Sequence, residues 1–306
     1  MSVIEPERRV RVRVPAKVNL YLGVGSVRPD GFHELLTVFQ AVDLHDEVSA
    51  TSAVGLGLRM TGEGSAGLPN GPDNLAWQAA SLLADHAQVP PDALIEIKKA
   101  IPIGGGMAGG SADAAATLLA CAHLWQTGTT KSELVTLAAG LGSDVAFPLV
   151  GGTALGTGRG ELLTPVLATG RFHWVLALAA FGISAADAYR ELDRQRADSP
   201  DGAAPALPDG LLDALRAGDA RRLAPALGND LQAAALTIAP SLRRTLAAGN
   251  ELGALAGMVS GSGPTCAFLC ADAEAATRLA AAMAGEGVCR TTRVVTGPVG
   301  GARVVS

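Results

Sequence analysis

Five glycines fall within seven positions, at Gly104, Gly105, Gly106, Gly109 and Gly110, with Met107 and Ala108 between them. A strand-like stretch over Leu94–Lys98 leads in, and an Ala/Leu-rich helical pattern leads out, from Ser111 to Trp125. Glycine reaches left-handed backbone conformations without steric cost, so such a loop can curl closely around a ligand. The helix that follows offers unpaired N–H groups and the positive end of its dipole. Strand, glycine loop and helix start together read as a cradle for phosphate. A turn with no ligand is the plain alternative, and so many glycines at a strand-to-helix junction weigh against it.

Two familiar phosphate loops fail on context. Gly104-x-Gly106-x-x-Gly109 matches the dinucleotide fingerprint, but that fingerprint needs a following strand that ends in an acid. Here the helix leads into a second helical pattern over Lys131–Gly140. A nicotinamide-type oxidoreductase is therefore disfavoured. Gly105 and Gly110 have the spacing of a P-loop, but Ser111 stands where its lysine must be. The cation has to come from elsewhere in the chain, or from a metal.

That requirement gives weight to the lysines, of which the 306 residues hold only Lys17, Lys98, Lys99 and Lys131. The chain is 48% hydrophobic and 17% charged, which predicts a large core and room for two domains. A net charge of −5 with no basic cluster excludes a nucleic-acid surface. Cys121, Cys266, Cys270 and Cys289 show no metal spacing and read as free thiols of a reducing cytoplasm. No signal peptide is expected at the N-terminus. The longest apolar runs, such as Trp174–Phe181, are too short to span a bilayer.

Strands are expected over Arg9–Val14, Val18–Val24, Phe39–Val48 and Gly55–Met60, and a helix over Asn74–His86 with Asp73 or Asn74 as cap. A hairpin is expected around Gly156-Thr-Gly158-Arg159-Gly160. A new strand at Trp174–Ala180, a helix over Ala185–Arg196, a connector over Ala197–Asp209 and further helices through Ala248 follow. Strands Leu255–Val259, Thr265–Cys270 and Cys289–Val295, with a helix over Ala273–Ala284, complete the series. Strands and helices mix without a strict βαβ rhythm, the mark of an α+β architecture.

Several segments outside the loop carry candidate chemistry. Lys17 lies among apolar residues in Pro15-Ala-Lys-Val-Asn19-Leu20, where a snorkelling lysine on a strand edge is the plain reading. Asp144, in Gly142-Ser-Asp-Val-Ala-Phe147, is either a turn or capping residue or a general base for a hydroxyl proton. A nearby lysine would keep such a base ionised, so Lys17 and Asp144 make sense together. Arg28-Pro-Asp30-Gly-Phe32-His33 is turn chemistry followed by two rings. Ser260-Gly-Ser-Gly263 joins two strands and by spacing alone is an ordinary turn.

In this order, Pro15–Leu20, Pro102–Ala116 and Val259–Thr265 resemble the three motifs of the GHMP kinase superfamily. Pro15-Ala-Lys17-Val-Asn19-Leu, Asp30-Gly-Phe-His33, Leu141-Gly-Ser-Asp144-Val and Asn229-Asp230 resemble the branch that acts on a cytidine-diphosphate alcohol. The likeness runs over nearly the whole chain. It implies a two-domain α+β GHMP kinase fold, with an ATP-binding domain over 1–168, a second domain over 169–306 and the active site in the cleft between them.

The resemblance implies ATP-dependent, Mg²⁺-assisted phosphorylation of the 2-hydroxyl of 4-diphosphocytidyl-2-C-methyl-D-erythritol, a step toward isoprenoid precursors. It implies a cytoplasmic enzyme with a small-molecule substrate, working as a monomer or weak homodimer, with neither nucleic acid nor membrane as partner. It makes Asp144 the catalytic base and Lys17 its partner. It puts Asn19 at the substrate, His33 on the cytosine edge, and Phe32 and Tyr189 on the two faces of the ring. Gly104, Gly105, Gly106, Met107, Ala108, Gly109, Gly110 and Ser111 would hold the ATP phosphates, with Ser111 the candidate Mg²⁺ ligand and Asn74 and Lys99 near the adenine. Asp113 stands where some members have Asn, so its acid must face a metal or turn away. Ala185 stands where many have Thr, which removes a hydroxyl contact to substrate. A homoserine or mevalonate kinase would lack any need for Phe32 and His33, and an inactive nucleotide-binding protein would have no need of Lys17 and Asp144.

Overall fold

The computed structural model describes residues 8–197 and 204–305. Two strands of 19 residues, β1 (Arg9–Val27) and β2 (His33–Thr51), form its backbone. The Arg/Val alternation at the start of β1 buries Val12 and Val14 and leaves Arg9 and Arg11 outside. The expected break at Pro15 does not occur. Register shifts at Pro15/Ala16, Asn19/Tyr21 and Val24/Val27 carry the pairing past the proline and the later irregularities. A bulge absorbs a residue that cannot donate, and bends the strand.

The first unit continues through β3 (Leu56–Gly62), α1 (Leu75–Ala87), β4 (Ala93–Lys99), α2 (Gly109–Trp125), α3 (Lys131–Leu141), α4 (Ala146–Val150), β5 (Thr153–Thr157) and β6 (Leu162–Pro165). Then follow β7 (Phe172–Leu178), α5 (Ala185–Gln195), α6 (Leu211–Ala217), α7 (Ala220–Leu223), β8 (Gly228–Asn229), α8 (Gln232–Ile238), α9 (Ser241–Glu251), β9 (Ala256–Val259), β10 (Cys266–Cys270), α10 (Ala273–Gly285), β11 (Thr291–Gly297) and β12 (Arg303–Val305). The expected connector over Ala197–Asp209 lies partly outside the described residues; at its far end Pro205 packs against Gly23 and Gly25 of β1.

One sheet runs β12-β1-β2-β4-β3, with β5 on a second stretch of β2, β6 on β5 and β8 on β1. The other runs β11-β7-β10-β9. The expected division at 168/169 falls between β6 and β7, but β8 and β12 cross it to pair with β1. Neither of these short strands has a period long enough to read from sequence.

α2 lies at the centre of the first unit, with 12 of its 17 residues buried. A helix apolar on every side belongs inside, and its alanines let the sheet and α1 come close. β7 divides the molecule's two large cores by its alternation. Phe172, Trp174, Leu176 and Leu178 face the core that holds α2, while Val175 and Ala177 face the core of α5, α8 and α9. Trp174 donates from Nε1 to Gln40 Oε1 at 3.1 Å, which ties the two sheets through a buried polar contact.

Beneath the glycine loop lies a buried charge cluster. Lys99 Nζ meets Asp46 Oδ2 at 2.5 Å, Asp113 Oδ2 at 2.6 Å and the Gly109 carbonyl at 3.3 Å. Asp46 also accepts from the Ala100 and Ile101 amides, at 2.5 and 2.8 Å. Burial alone would lower the Lys99 pKa, but Asp113 and Asp46 together carry it above its ordinary value. Burial pushes the Asp113 carboxyl up to about 8 against the pull of Lys99.

Two predictions follow from this packing. Lys99→Met removes the cation that Asp46 and Asp113 share and leaves the Asp46 charge buried without a counter-ion, and urea unfolding should show a loss of about 3–5 kcal/mol. Gly249 of α9 faces Phe268, where an added Cβ would stand 2.1 Å from the ring. Gly249→Ala should lower stability by about 1–3 kcal/mol, the overpacking cost exceeding a helix-propensity gain of about 1 kcal/mol. A higher unfolding midpoint in that variant would show that the ring moves aside freely.

Candidate active site

A cleft of ≈ 720 Å³ opens between the glycine loop, β1, the start of β2 and α5. The loop's shape depends on backbone that side chains avoid. Gly104 and Gly106 have φ of 60° and 73°, and Ala108 adopts the left-handed region at 58° just before α2. A Cβ on Gly106 would lie 2.0 Å from the Ser260 carbonyl oxygen, so no other residue fits there. Ser260 Oγ donates to the Gly106 carbonyl at 3.2 Å. The late glycine turn is therefore the wall against which the phosphate loop is built. Asn229 holds that turn in place, donating from Nδ2 to the carbonyls of Val259 and Gly261 at 2.8 and 2.7 Å.

Gly104, Gly105, Gly106, Ala108, Gly109, Gly110 and Ser111 line the cleft. Met107 does not. Its side chain is wholly buried in the core, and its carbonyl accepts from the Lys17 amide at 3.4 Å. Lys99, expected near adenine, is 4% exposed and spends its ammonium on Asp46 and Asp113, which braces both ends of the loop from below. Asn74 caps α1, accepting from the Ala76 amide at 2.8 Å and donating to the Pro69 carbonyl at 2.9 Å. Neither the Lys99 nor the Asn74 side chain lines the cleft. Asp113 has turned away from the loop toward Lys99, which resolves the choice its position posed.

Lys17 and Asp144 come together across the cleft floor, with Nζ 3.5 Å from Oδ2. The lysine side chain is 5% exposed and the aspartate 35%, so the carboxylate is the member that a substrate can reach. Asp144 sits in the turn before α4 but accepts no capping hydrogen bond from its amides, and Lys17 is its partner among the described residues. Lys17 is steadied by Asn19 Oδ1 at 2.5 Å. Asn19 in turn donates to Thr37 at 2.9 Å, and Thr37 to the Tyr21 carbonyl at 2.7 Å. Asn19 borders the cleft, yet both ends of its amide are engaged in orienting Lys17. Thr37 had no signal in sequence; in the β1–β2 register it stands opposite Leu22, and its hydroxyl reaches the Asn19 amide from there.

At the other end of the cleft the rings do not form the expected sandwich. His33 stacks on Tyr189 with centroids 5.0 Å apart and planes 20° apart. Its Nε2 meets Asp193 Oδ1 at 2.8 Å. Phe32 is half exposed and lies instead beneath the Arg159 guanidinium, 4.8 Å from its ring centroid. Burial, and then the charge of Asp144, raise the Tyr189 pKa, so the phenol stays neutral. Asp193 stands four residues after Tyr189 on one helix, a spacing that places both on one face and could have been read. Ala185 and Ala186 border the cleft with methyl groups only.

Among the described residues no helix is long and apolar enough to cross a membrane. Nor do three or more His, Cys, Asp or Glu residues group as a metal cage there. The Ser111 side chain lines the cleft and makes no protein hydrogen bond among those residues.

The chain matches the family model of the GHMP kinases N terminal domain over residues 74–152 and that of the GHMP kinases C terminal domain over 211–289. A 4-diphosphocytidyl-2-C-methyl-D-erythritol kinase of Rhodococcus jostii is 58% identical over 301 residues, 98% of this chain and 96% of that one. The enzyme of that name from Mycobacterium tuberculosis is 57% identical over 303 residues, 98% of this chain and 94% of that one. A crystal structure of a 4-(cytidine 5'-diphospho)-2C-methyl-D-erythritol kinase superposes with a TM-score of 0.76 at 33% identity, covering 94% of this chain and all (100%) of that one. A homoserine kinase from Cytophaga hutchinsonii reaches a TM-score of 0.77 at 20% identity, over 100% of both chains, a likeness of fold alone. With both kinase domains matched in order and such relatives along almost its whole length, this chain belongs to the GHMP kinases, in the family of the 4-diphosphocytidyl-2-C-methyl-D-erythritol kinases.

Proposed function

We propose that this kinase transfers the γ-phosphoryl group of ATP to the 2-hydroxyl of 4-diphosphocytidyl-2-C-methyl-D-erythritol, with Asp144 as the base. The observation that carries this reading is the Lys17–Asp144 pair, facing the same cleft as the glycine loop and the Phe32, His33 and Tyr189 rings. The nucleotide-binding unit spans 1–168 and the second unit 169–306, with β8 and β12 lent to the first sheet.

The loop from Gly104 to Gly110 and the start of α2 present backbone N–H groups and a helix dipole to the phosphates. Asp144 takes the proton of the acceptor hydroxyl as the oxygen attacks phosphorus. Lys17, held by Asn19, keeps Asp144 ionised and places positive charge beside the transferring group. Binding at the aromatic end orients the hydroxyl, so that energy from the cytidine part serves the reacting part. When bound, Mg²⁺ would neutralise charge on the phosphates, and Ser111, which borders the cleft at the start of α2, is the residue that would hold it. The same chemistry serves a small soluble substrate and asks for neither nucleic acid nor membrane as partner, with the cytoplasm as its setting. Nothing in it asks for more than a monomer or a weak homodimer.

Incubation with ATP, Mg²⁺ and the cytidyl substrate, beside homoserine and mevalonate, followed by mass spectrometry, should show one added phosphate on the cytidyl alcohol alone. Transfer to another alcohol would remove the cytosine reading and leave the kinase chemistry. Asp144→Asn should lower kcat by about 10²–10⁴-fold with little change in either KM. Near-normal turnover in that variant would remove Asp144 as base.

A further inference from the structure

Thr37 has no part in the mechanism above, yet it anchors the polar chain that begins at the reacting pair. Phe39 stands opposite Asn19 in the β1–β2 ladder, which sets Thr37, two residues earlier, on the face that carries Asn19 and Lys17. The register shift between Asn19 and Tyr21 passes over Leu20 and moves Thr37 opposite Leu22. From there its hydroxyl donates to the Tyr21 carbonyl at 2.7 Å and accepts from Asn19 Nδ2 at 2.9 Å. Thr37 borders the cleft but is 1% exposed, so its hydroxyl works on protein atoms.

Each link of this chain runs in one direction. A carbonyl only accepts, so the single hydroxyl proton goes to Tyr21 and a lone pair faces Asn19. An ammonium only donates, so Asn19 has to offer Lys17 its oxygen, which it does at 2.5 Å. The two ends of an amide have nearly the same shape, and the neighbours decide which end points where. With no acceptor at position 37, nothing draws Nδ2 away from Lys17, and a turned amide sets its donors against the ammonium. Lys17 has little room to answer. The Phe39 ring centroid lies 5.5 Å from Nζ, and a Cβ on Gly261 would stand 3.2 Å from it. The direction left is along the 3.5 Å gap to Asp144.

We propose that Thr37 is a positioning residue for the phosphoryl transfer: its hydroxyl fixes the polarity of the Asn19 amide, and through it the place of the Lys17 ammonium beside Asp144. The proposal rests on the roles given to Lys17 and Asp144 above and deepens them. It concerns the reacting end of the cleft alone, so the binding of either substrate is untouched.

The test measures steady-state kinetics of the full chain with ATP, Mg²⁺ and the cytidyl alcohol. The variants are Thr37→Val, Thr37→Ser, Asn19→Ala and the double Thr37→Val/Asn19→Ala. Thr37→Val keeps the shape without the hydroxyl and should lower kcat by about 10- to 100-fold, with both KM values within about twofold of wild type. Thr37→Ser restores the hydroxyl and should keep kcat within about threefold. In the Asn19→Ala background Thr37→Val should cost less than about twofold more, since the residue it acts through is gone. A folded Thr37→Val with wild-type kcat would overturn the proposal. So would losses that multiply in the double variant, or a loss that falls on KM, either of which makes Thr37 a support of the sheet. A tenfold loss in Thr37→Ser would put the role in the methyl group, and overturns the proposal whether or not Thr37→Val folds. Near-normal turnover in Lys17→Met would overturn the preceding reading. An enzyme crippled by Lys17→Met but indifferent to Thr37→Val would overturn this one alone.

Discussion

The backbone contact between Gly106 and Ser260 is the constraint on which the site depends. These residues are 154 apart in sequence and belong to different sheets' worth of structure, yet a single methyl group would not fit between them. Their approach fixes the phosphate loop's outer wall. It also brings Gly261 against Lys17 and Asn19, since a Cβ there would stand 3.2 Å from Nζ and 3.3 Å from Oδ1. The reacting end of the cleft is therefore assembled by contacts between segments far apart in the chain. Interiors pack too densely for such a contact to loosen gradually, so the loop's geometry is held or lost as a whole.

Two lysines at 4% exposure show how neighbours decide what a buried cation does. Lys99 meets two carboxylates at hydrogen-bond distance, and its positive charge is consumed in joining β4, α2 and the loop's first amides. Lys17 has an amide oxygen at 2.5 Å and a carboxylate only at 3.5 Å. Its charge is steered and left available toward the cleft. One lysine makes the cradle rigid and the other serves what lies in it.

Much of this was legible because local chemistry and global structure agree. The helix that starts after the glycine loop, the α1 cap at Asn74 and the hairpin around Gly158 follow from period, cap and turn residues alone. Pro15 misled because a missing donor reads as a strand end, whereas a bulge passes it. Lys99 misled in another way. Its position by resemblance pointed to nucleotide, while the partners that claim it lie 53 and 14 residues away and are visible only in three dimensions. The same is true of His33, whose partner Asp193 is 160 residues distant. Residue types in a motif announce chemistry; which of them face the ligand, and which hold the others still, is a property of packing.

The pairing of β12 with β1 has a consequence in time as well as space. Arg11, Val12 and Arg13 find their partners in Val305, Val304 and Arg303. During synthesis the N-terminal sheet therefore waits, with one edge of β1 bare at Arg11–Arg13, until nearly three hundred further residues have left the ribosome. Arginines alternate along that waiting edge, at Arg9, Arg11 and Arg13. Arg9 and Arg11 turn to Glu96 and Glu47 of the same sheet, so the strand is held on its β2 side by backbone and charge pairs while its other edge stays open until its own chain returns to cover it.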